Sequence, residues 1–313
     1  MRSFGLRYAL LAVVLLAVGI GGGYLGAKAL DDDDPSPTAT GDTTSTSSAD
    51  GSPTSAPGAD AAGTSVVASR LGIVGWWTDG RWVEPLESSP PLADGARFRY
   101  VGIDGDRTEA VGGPVVDTCE ISEPYPPYVE LDPPFDRGGS KDGSRTIAVT
   151  GVADPVPREA EALDVKSETY RTAAGEALAS EGIEDAKPTI TQLYRVDLDG
   201  NGGDEVLITV ERRNGKELTD AKDGNYSAVI LRRLVDGQVR SQVLRHHEAS
   251  KAGSDQSFAY LELYRVAAVA DLNGDGALEV AISSQYYEGS GIEVLADDGK
   301  GTLTRAMGTG CGA

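Results

Sequence analysis

The chain is 313 residues long and carries 49 Asp and Glu against 28 Lys and Arg, a net charge of −21 with a pI near 4.4. This balance lacks the basic face that phosphate binding needs, so it excludes nucleic acid as a partner and suits calcium or a cationic partner instead. The two cysteines, Cys119 and Cys311, form no CxxC pair, which excludes a zinc or thioredoxin-like motif.

Residues 1–30 read as an export or membrane segment. Arg2 and Arg7 precede or open an uncharged apolar stretch, Tyr8–Ala27, and Asp31–Asp34 follow it. About 20 apolar residues can cross a bilayer, and the charge asymmetry orients the N-terminus toward the cytoplasm. Two readings stay open: a retained single-pass transmembrane helix in the cell membrane, or a secretory signal cleaved near Ala29 after the small-x-small run Ala27-Lys28-Ala29. Both send the rest of the chain outside the cytoplasm. Residues 31–64 hold Asp, Ser, Thr, Pro, Ala and Gly, with seven aspartates and no large apolar side chain. Such a composition predicts a disordered tether, reaching roughly 30–35 Å as a flexible coil.

Residues 65–313 read as an extracytoplasmic, mostly β domain. Short apolar runs predict strands at Gly72–Thr78, Arg97–Ile103, Ile147–Val152, Thr189–Val196, Glu205–Glu211, Ser227–Leu234, Val239–Leu244, Tyr260–Ala270, Glu279–Ser284 and Gly291–Leu295. The Asp-Gly pairs in "TDGRW", "VDGQV" and "DDGKG" favour tight hairpin turns. The proline-rich stretch Glu123–Pro134 predicts an irregular loop. Tyr170, Ala173, Ala174, Ala177 and Leu178 share one face of a short helix, with Ser167 as N-cap and Gly182 as its stop.

The most informative pattern occurs twice. "DLDGNGGDEV" spans residues 197–206 and "DLNGDGALEV" spans 271–280, each preceded by Leu-Tyr-Arg-Val, with four extra residues before the second copy. Each copy belongs to a longer unit, 189–247 and 261–306, that reads strand, acidic turn, strand, strand, turn, strand. That is the anatomy of one four-stranded propeller blade. A weaker third copy, Gly102–Val111, begins with Gly where the others begin with Asp, so its metal site is expected to be degraded or absent.

Within each acidic turn, alternate side chains converge: Asp197, Asp199 and Asn201 in one, Asp271, Asn273 and Asp275 in the other. The carbonyls of Gly203 and Ala277 and the carboxylates of Glu205 and Glu279 complete a hard-oxygen set suited to Ca2+. Gly200, Gly202, Gly274 and Gly276 supply the positive-φ bends that wrap the chain about one point. An EF-hand is excluded, because its loop requires Glu at the twelfth position, where this chain has Ile208 and Ile282.

The loop and its flanking strands resemble FG-GAP/VCBS-type calcium-binding repeats, the blades of integrin α-subunit propellers, over residues 189–306. The resemblance implies a β-propeller-like arrangement with calcium held by the first, third, fifth and ninth side chains and the seventh carbonyl, the residues named above. It also implies a structural rather than catalytic ion. Two departures stand out. Glu205 and Glu279 replace the family's usual ninth-position Asp, and only two blades are clear where a closed ring requires about four or more.

Other features offer little chemistry. His246 and His247 are adjacent and point to opposite faces of a strand. No G-x-S-x-G, H-E-x-x-H or P-loop occurs. Trp76, Trp77 and Trp82 are expected to serve packing. The reading is therefore an exported, membrane-tethered calcium-binding surface protein, a binding or adhesion-type module for an extracellular protein or glycan. An extracytoplasmic hydrolase on the same scaffold is the alternative. In an oxidising compartment Cys119 and Cys311 are expected to pair, closing a loop of 192 residues between them.

Overall fold

A computed structural model describes residues 63–103, 105–117, 126–136, 145–249 and 259–312. The apolar N-terminal segment, nearly all of the tether, and Cys119 lie outside the described residues. No helix among the described residues is long and apolar enough to cross a membrane.

The described chain is mostly β. Its N-terminal part is a curled sheet of seven strands: β1 (Ser65–Ser69), β2 (Gly72–Thr78), β3 (Arg81–Val83), β4 (Arg97–Tyr100), β5 (Glu109–Asp117), β6 (Pro127–Asp132) and β7 (Ile147–Val149), in the order β3-β2-β1-β7-β4-β5-β6. Asp79 and Gly80 both have positive φ, 50° and 74°, as a two-residue hairpin turn between β2 and β3 demands. Strand β6 corrects the expectation of an irregular loop over Glu123–Pro134. Pro127–Asp132 alternates buried and exposed positions and pairs with β5. It is the last strand of its sheet, where proline is tolerated because the outer N–H groups have no partner to lose.

Two further sheets carry the repeats. The first contains β8 (Glu161–Ala162), β9 (Thr189–Val196), β10 (Glu205–Arg212), β11 (Tyr226–Val235) and β12 (Gln238–Glu248), ordered β12-β11-β10-β9-β8. The second contains β13 (Leu263–Ala270), β14 (Glu279–Tyr286), β15 (Gly289–Asp297) and β16 (Leu303–Gly312) in sequential order. Consecutive strands within each repeat are antiparallel. The predicted Asp-Gly turn at 236–237 is present, with φ of 52° and 74°. The expected helix is α1, Glu168–Ser180. Ser167 holds its N-cap position without a side-chain cap bond, and Gly182, at φ 90°, turns the chain so that Ile183 N bonds back to Leu178 O.

These elements stack in a row. Helix α1 covers the outer face of the first repeat sheet through Ala174, Leu178, Ile208, Val210 and Ile230. The opposite face of that sheet, Leu207, Val229 and Leu231, meets Val266, Val280 and Ile282 of the second. The far face of the second sheet, Ala268, Ala281, Val294 and Met307, meets Val67, Val74 and Val149 of the N-terminal sheet. Because both faces of β10 and β11 are covered, their apolar runs are continuous rather than alternating. Each repeat therefore finds a different neighbour on each face. Gly75 marks a close approach between these sheets: at φ 150°, a Cβ there would lie 2.6 Å from Val83 O and 2.5 Å from Met307 Sδ.

Candidate metal centre

Both acidic turns join the first two strands of their repeats, and both are built alike. Loop 1 connects β9 to β10, and loop 2 connects β13 to β14. The expected glycine bends are present, with φ of 74° and 83° at Gly200 and Gly202 and of 82° and 89° at Gly274 and Gly276. Leu198 and Leu272 at the second position are buried in apolar clusters, so each loop is anchored while its polar edge stays at the surface. The twelfth positions, Ile208 and Ile282, are buried in strands β10 and β14, which is incompatible with an EF-hand.

The first carboxylate organises each turn. Asp197 accepts from the backbone N–H of Asn201 and Gly202 at 3.1 Å each. Asp271 accepts from Gly274 N at 2.6 Å and Gly276 N at 2.9 Å. The ninth position closes each loop in the same way: Glu205 accepts from Leu198 N at 2.8 Å and Glu279 from Leu272 N at 2.7 Å. Both glutamates are only 3% exposed. A glutamate, one methylene longer than an aspartate, thus reaches across each loop to the N–H of the second residue.

In loop 1, Asp197, Asp199 and Glu205 bring one carboxylate oxygen each within 4.8 Å of one another. Asn201 lies beside them, donating from Nδ2 to Asp199 and accepting the Gly203 N–H on Oδ1. In loop 2 the third and fifth residues exchange identities. Asp275 accepts from Asn273 Nδ2 and from Ala277 N, at 2.9 and 2.8 Å. Among the described residues no Arg or Lys pairs with Asp271, Asp275 or Glu279. Burial, with the charges of Asp275 and Asp271 adding to it, pushes the Glu279 carboxyl up to about 8. Glu205 is also raised, chiefly by burial, but the Arg233 guanidinium pulls the other way. Loop 1 thus gathers three carboxylates beside an amide oxygen, a hard-oxygen set that a divalent cation would suit, whereas the predicted ligands of loop 2, Asp271, Asp275 and Glu279, are not drawn together to the same distance.

The two loops touch. Leu278 N–H of loop 2 donates to Leu198 O of loop 1 at 2.8 Å. Arg158, from the segment between β7 and β8, spans both: its Nε donates to Asp197 O at 2.6 Å, and its Nη2 to Leu198 O and Gly276 O at 3.2 and 2.6 Å. Neither Arg158 nor Arg233 was among the expected site residues. The third copy, Gly102–Val111, runs from the connection after β4 into the start of β5, and there Asp106 accepts from the N–H and hydroxyl of Thr108.

Cys311, on β16, is disulfide-bonded, while Cys119 lies outside the described residues. Pro126 borders the same cavity as Thr309 and Gly310. His247 stacks on Tyr260 at 5.1 Å and accepts the Glu262 N–H on Nδ1; His246 points away and is exposed. Trp76 is core, and Trp77 and Trp82 meet edge to face at 4.9 Å. Comparison with protein-family models, curated proteins and solved structures returns no match.

Proposed function

We propose that the chain is an exported, membrane-tethered calcium-binding protein whose outer domain presents a pair of FG-GAP/VCBS-like, propeller-type blades as a binding or adhesion module. The observation that carries this reading is the duplicated loop: an acidic turn organised by its first carboxylate and closed twice by a buried glutamate on the N–H of the second residue, at the seam between two stacked sheets. In loop 1 the ion is held by Asp197, Asp199, Asn201, Glu205 and the Gly203 carbonyl, and in loop 2 by Asp271, Asn273, Asp275, Glu279 and the Ala277 carbonyl. Its chemistry there is charge neutralisation, which lets the two loops pack against each other without mutual repulsion.

The binding role draws on the β11–β12 hairpin tip. Leu234 and Val239 face each other across it and are 64% and 58% exposed, an apolar pair that no described element covers. The disulfide at Cys311 fits an oxidising compartment, and its partner in this reading is Cys119. The hydrolase alternative draws on a cavity of about 400 Å³ lined by Glu262 and Glu293. Glu293, however, is gripped by Arg245 and faces Arg305 at 3.8 Å, an arrangement that suits a structural ion pair.

Titration calorimetry of the full-length chain tests the central claim. About two calcium ions should bind, Asp197→Ala and Asp271→Ala should each remove one, and chelation should lower the melting temperature. Saturation at 100 times the dissociation constant contributes about 2.7 kcal/mol per site. No heat of binding at millimolar calcium overturns the proposal.

A further inference from the structure

The second repeat sheet is hollowed on the face where Glu293 meets Arg245 of β12. Tyr264, Ser284, Gly291 and Gly310 are cross-strand neighbours on β13 to β16. Such neighbours share one face of a sheet, and two of these four have no side chain. On one side of this row Glu293 pairs with Gly308. On the other side lie Tyr286, Gly289 and Gly312, and the phenol oxygen of Tyr286 sits over both glycines. A glycine row of this sheet thus already receives the end of a hydroxylated six-membered ring. Beside Gly291 and Gly310 the surface opens instead into a cavity of about 400 Å³, within the size range of small-molecule sites.

The charges around this cavity are already balanced. Arg245 is ion-paired with Glu293, and Arg305 is paired with Glu84 while facing Glu293 at 3.8 Å. Tyr264 Oη donates to Glu262 at 2.9 Å. An anionic ligand would have to displace one of these carboxylates, and a cationic one would meet two guanidinium groups. Uncharged hydroxyls face neither cost. They donate to the remaining carboxylate lone pairs and accept from the remaining guanidinium N–H groups. Part of the border is apolar, through Pro85, Pro126 and Leu86, the last 54% exposed. Thr309 borders the same space, and its Oγ1 is buried with no partner among the described residues.

We propose that this cavity binds one neutral sugar residue of a glycan, with its ring on the Gly291–Gly310 floor and its hydroxyls on the Arg245–Glu293 pair and Arg305. Adjacent ring hydroxyls present donors and acceptors side by side, as a guanidinium–carboxylate pair does, and the C–H face of the ring suits the Leu86 border. Glu293 is engaged by arginine, so it serves as a fixed acceptor rather than as a proton donor, and the site holds its ligand without cleaving it. The inference gives the binding-module reading a ligand class and rests on that reading, but it requires no metal.

Saturation-transfer NMR on the full-length chain, in a chelating buffer, tests this. The probes are glucose, galactose, mannose and N-acetylglucosamine at millimolar concentration, with glucuronic acid and glucosamine as charged controls. At least one neutral sugar should receive saturation, and the charged controls should receive less. Ser284→Leu places a bulky side chain beside Gly291 and should abolish the signal. Leu86→Ala, at an exposed position, should weaken it several-fold and leave the melting temperature unchanged. No transfer to any neutral sugar overturns the proposal, as does stronger transfer to a charged control. A signal that survives both variants, or survives Leu86→Ala where Ser284→Leu fails to fold, also overturns it. Calcium calorimetry reads the other half independently: sugar binding without calcium binding removes the metal and keeps this site, and calcium binding without sugar binding does the reverse.

Discussion

Glu279 offers the sharpest test of the site's electrostatics. Its carboxylate is 3% exposed, accepts one bond from Leu272 N, and sits beside Asp271 and Asp275, with no Arg or Lys paired to it among the described residues. Without calcium its pKa rises from 4.5 to about 8. Between those limits the folded state holds a proton that the unfolded chain has released, so stability is highest at low pH and falls as pH rises, by about 1.4 kcal/mol per unit. From pH 5 to pH 7 that is a loss of about 3 kcal/mol, or roughly 6–12 °C in melting temperature for a domain of this size. Glu279→Gln keeps an oxygen for the Leu272 N–H and places amide protons toward the neighbouring carboxylates. The variant in a chelating buffer should lose this slope, and at pH 7 should be more stable than wild type by a similar amount. With saturating calcium the order reverses, because the variant has lost a ligand. Urea unfolding at pH 5, 6, 7 and 8, with chelator and with calcium, reads out each arm. Parallel pH profiles for wild type and Glu279→Gln in chelator would refute the reasoning.

Arg158→Ala removes three charge-assisted bonds to carbonyls of both loops and should cost about 2–4 kcal/mol in urea unfolding, of which Arg158→Lys restores less than half. Leu178 is fully buried between α1 and the first repeat sheet, so Leu178→Ala should destabilise by about 3 kcal/mol, again by urea unfolding. Burial holds His247 below its ordinary value of 6.5, with His246 lowering it further and Glu262 opposing. Its folded state therefore resists protonation, and with calcium present its contribution to stability is lost as pH falls below 6.5. His247→Gln should flatten that part of the profile between pH 7.5 and 5.5.

Local features of the chain were legible and relayed ones were not. The loop ligands lie within nine residues of one another, and alternation with glycine is enough to read them. Strands β9 to β11 and α1 follow from apolar runs and helical spacing. Strand β5 escaped because Gly112, Gly113 and Pro114 interrupt it, and β6 because prolines flank it. Two short members, β1 and β3, carry too few residues for a period to emerge. Most consequentially, Arg158 and Arg233 lie 28–40 residues in sequence from the loop 1 residues they touch. No spacing rule reaches that far, because only the pairing of β10 with β11 and the path of the segment before β8 bring them in. The contact between the loops, from Leu278 to Leu198, is equally a product of sheet stacking.

The placement of β1 has a mechanical consequence. The described domain opens directly into this strand, which is third of seven in its sheet, with five paired positions on β2 and three on β7. A pull along β1 loads both ladders in shear, so that their bonds must fail together, whereas a strand at the margin would unzip one bond at a time. The load does not stop at that sheet. Ser65 Oγ donates to Leu272 O, and Val66 N donates to Thr150 Oγ1 at 3.0 Å. A load entering at the start of β1 is thereby passed directly to the second acidic turn as well as to the neighbouring strands.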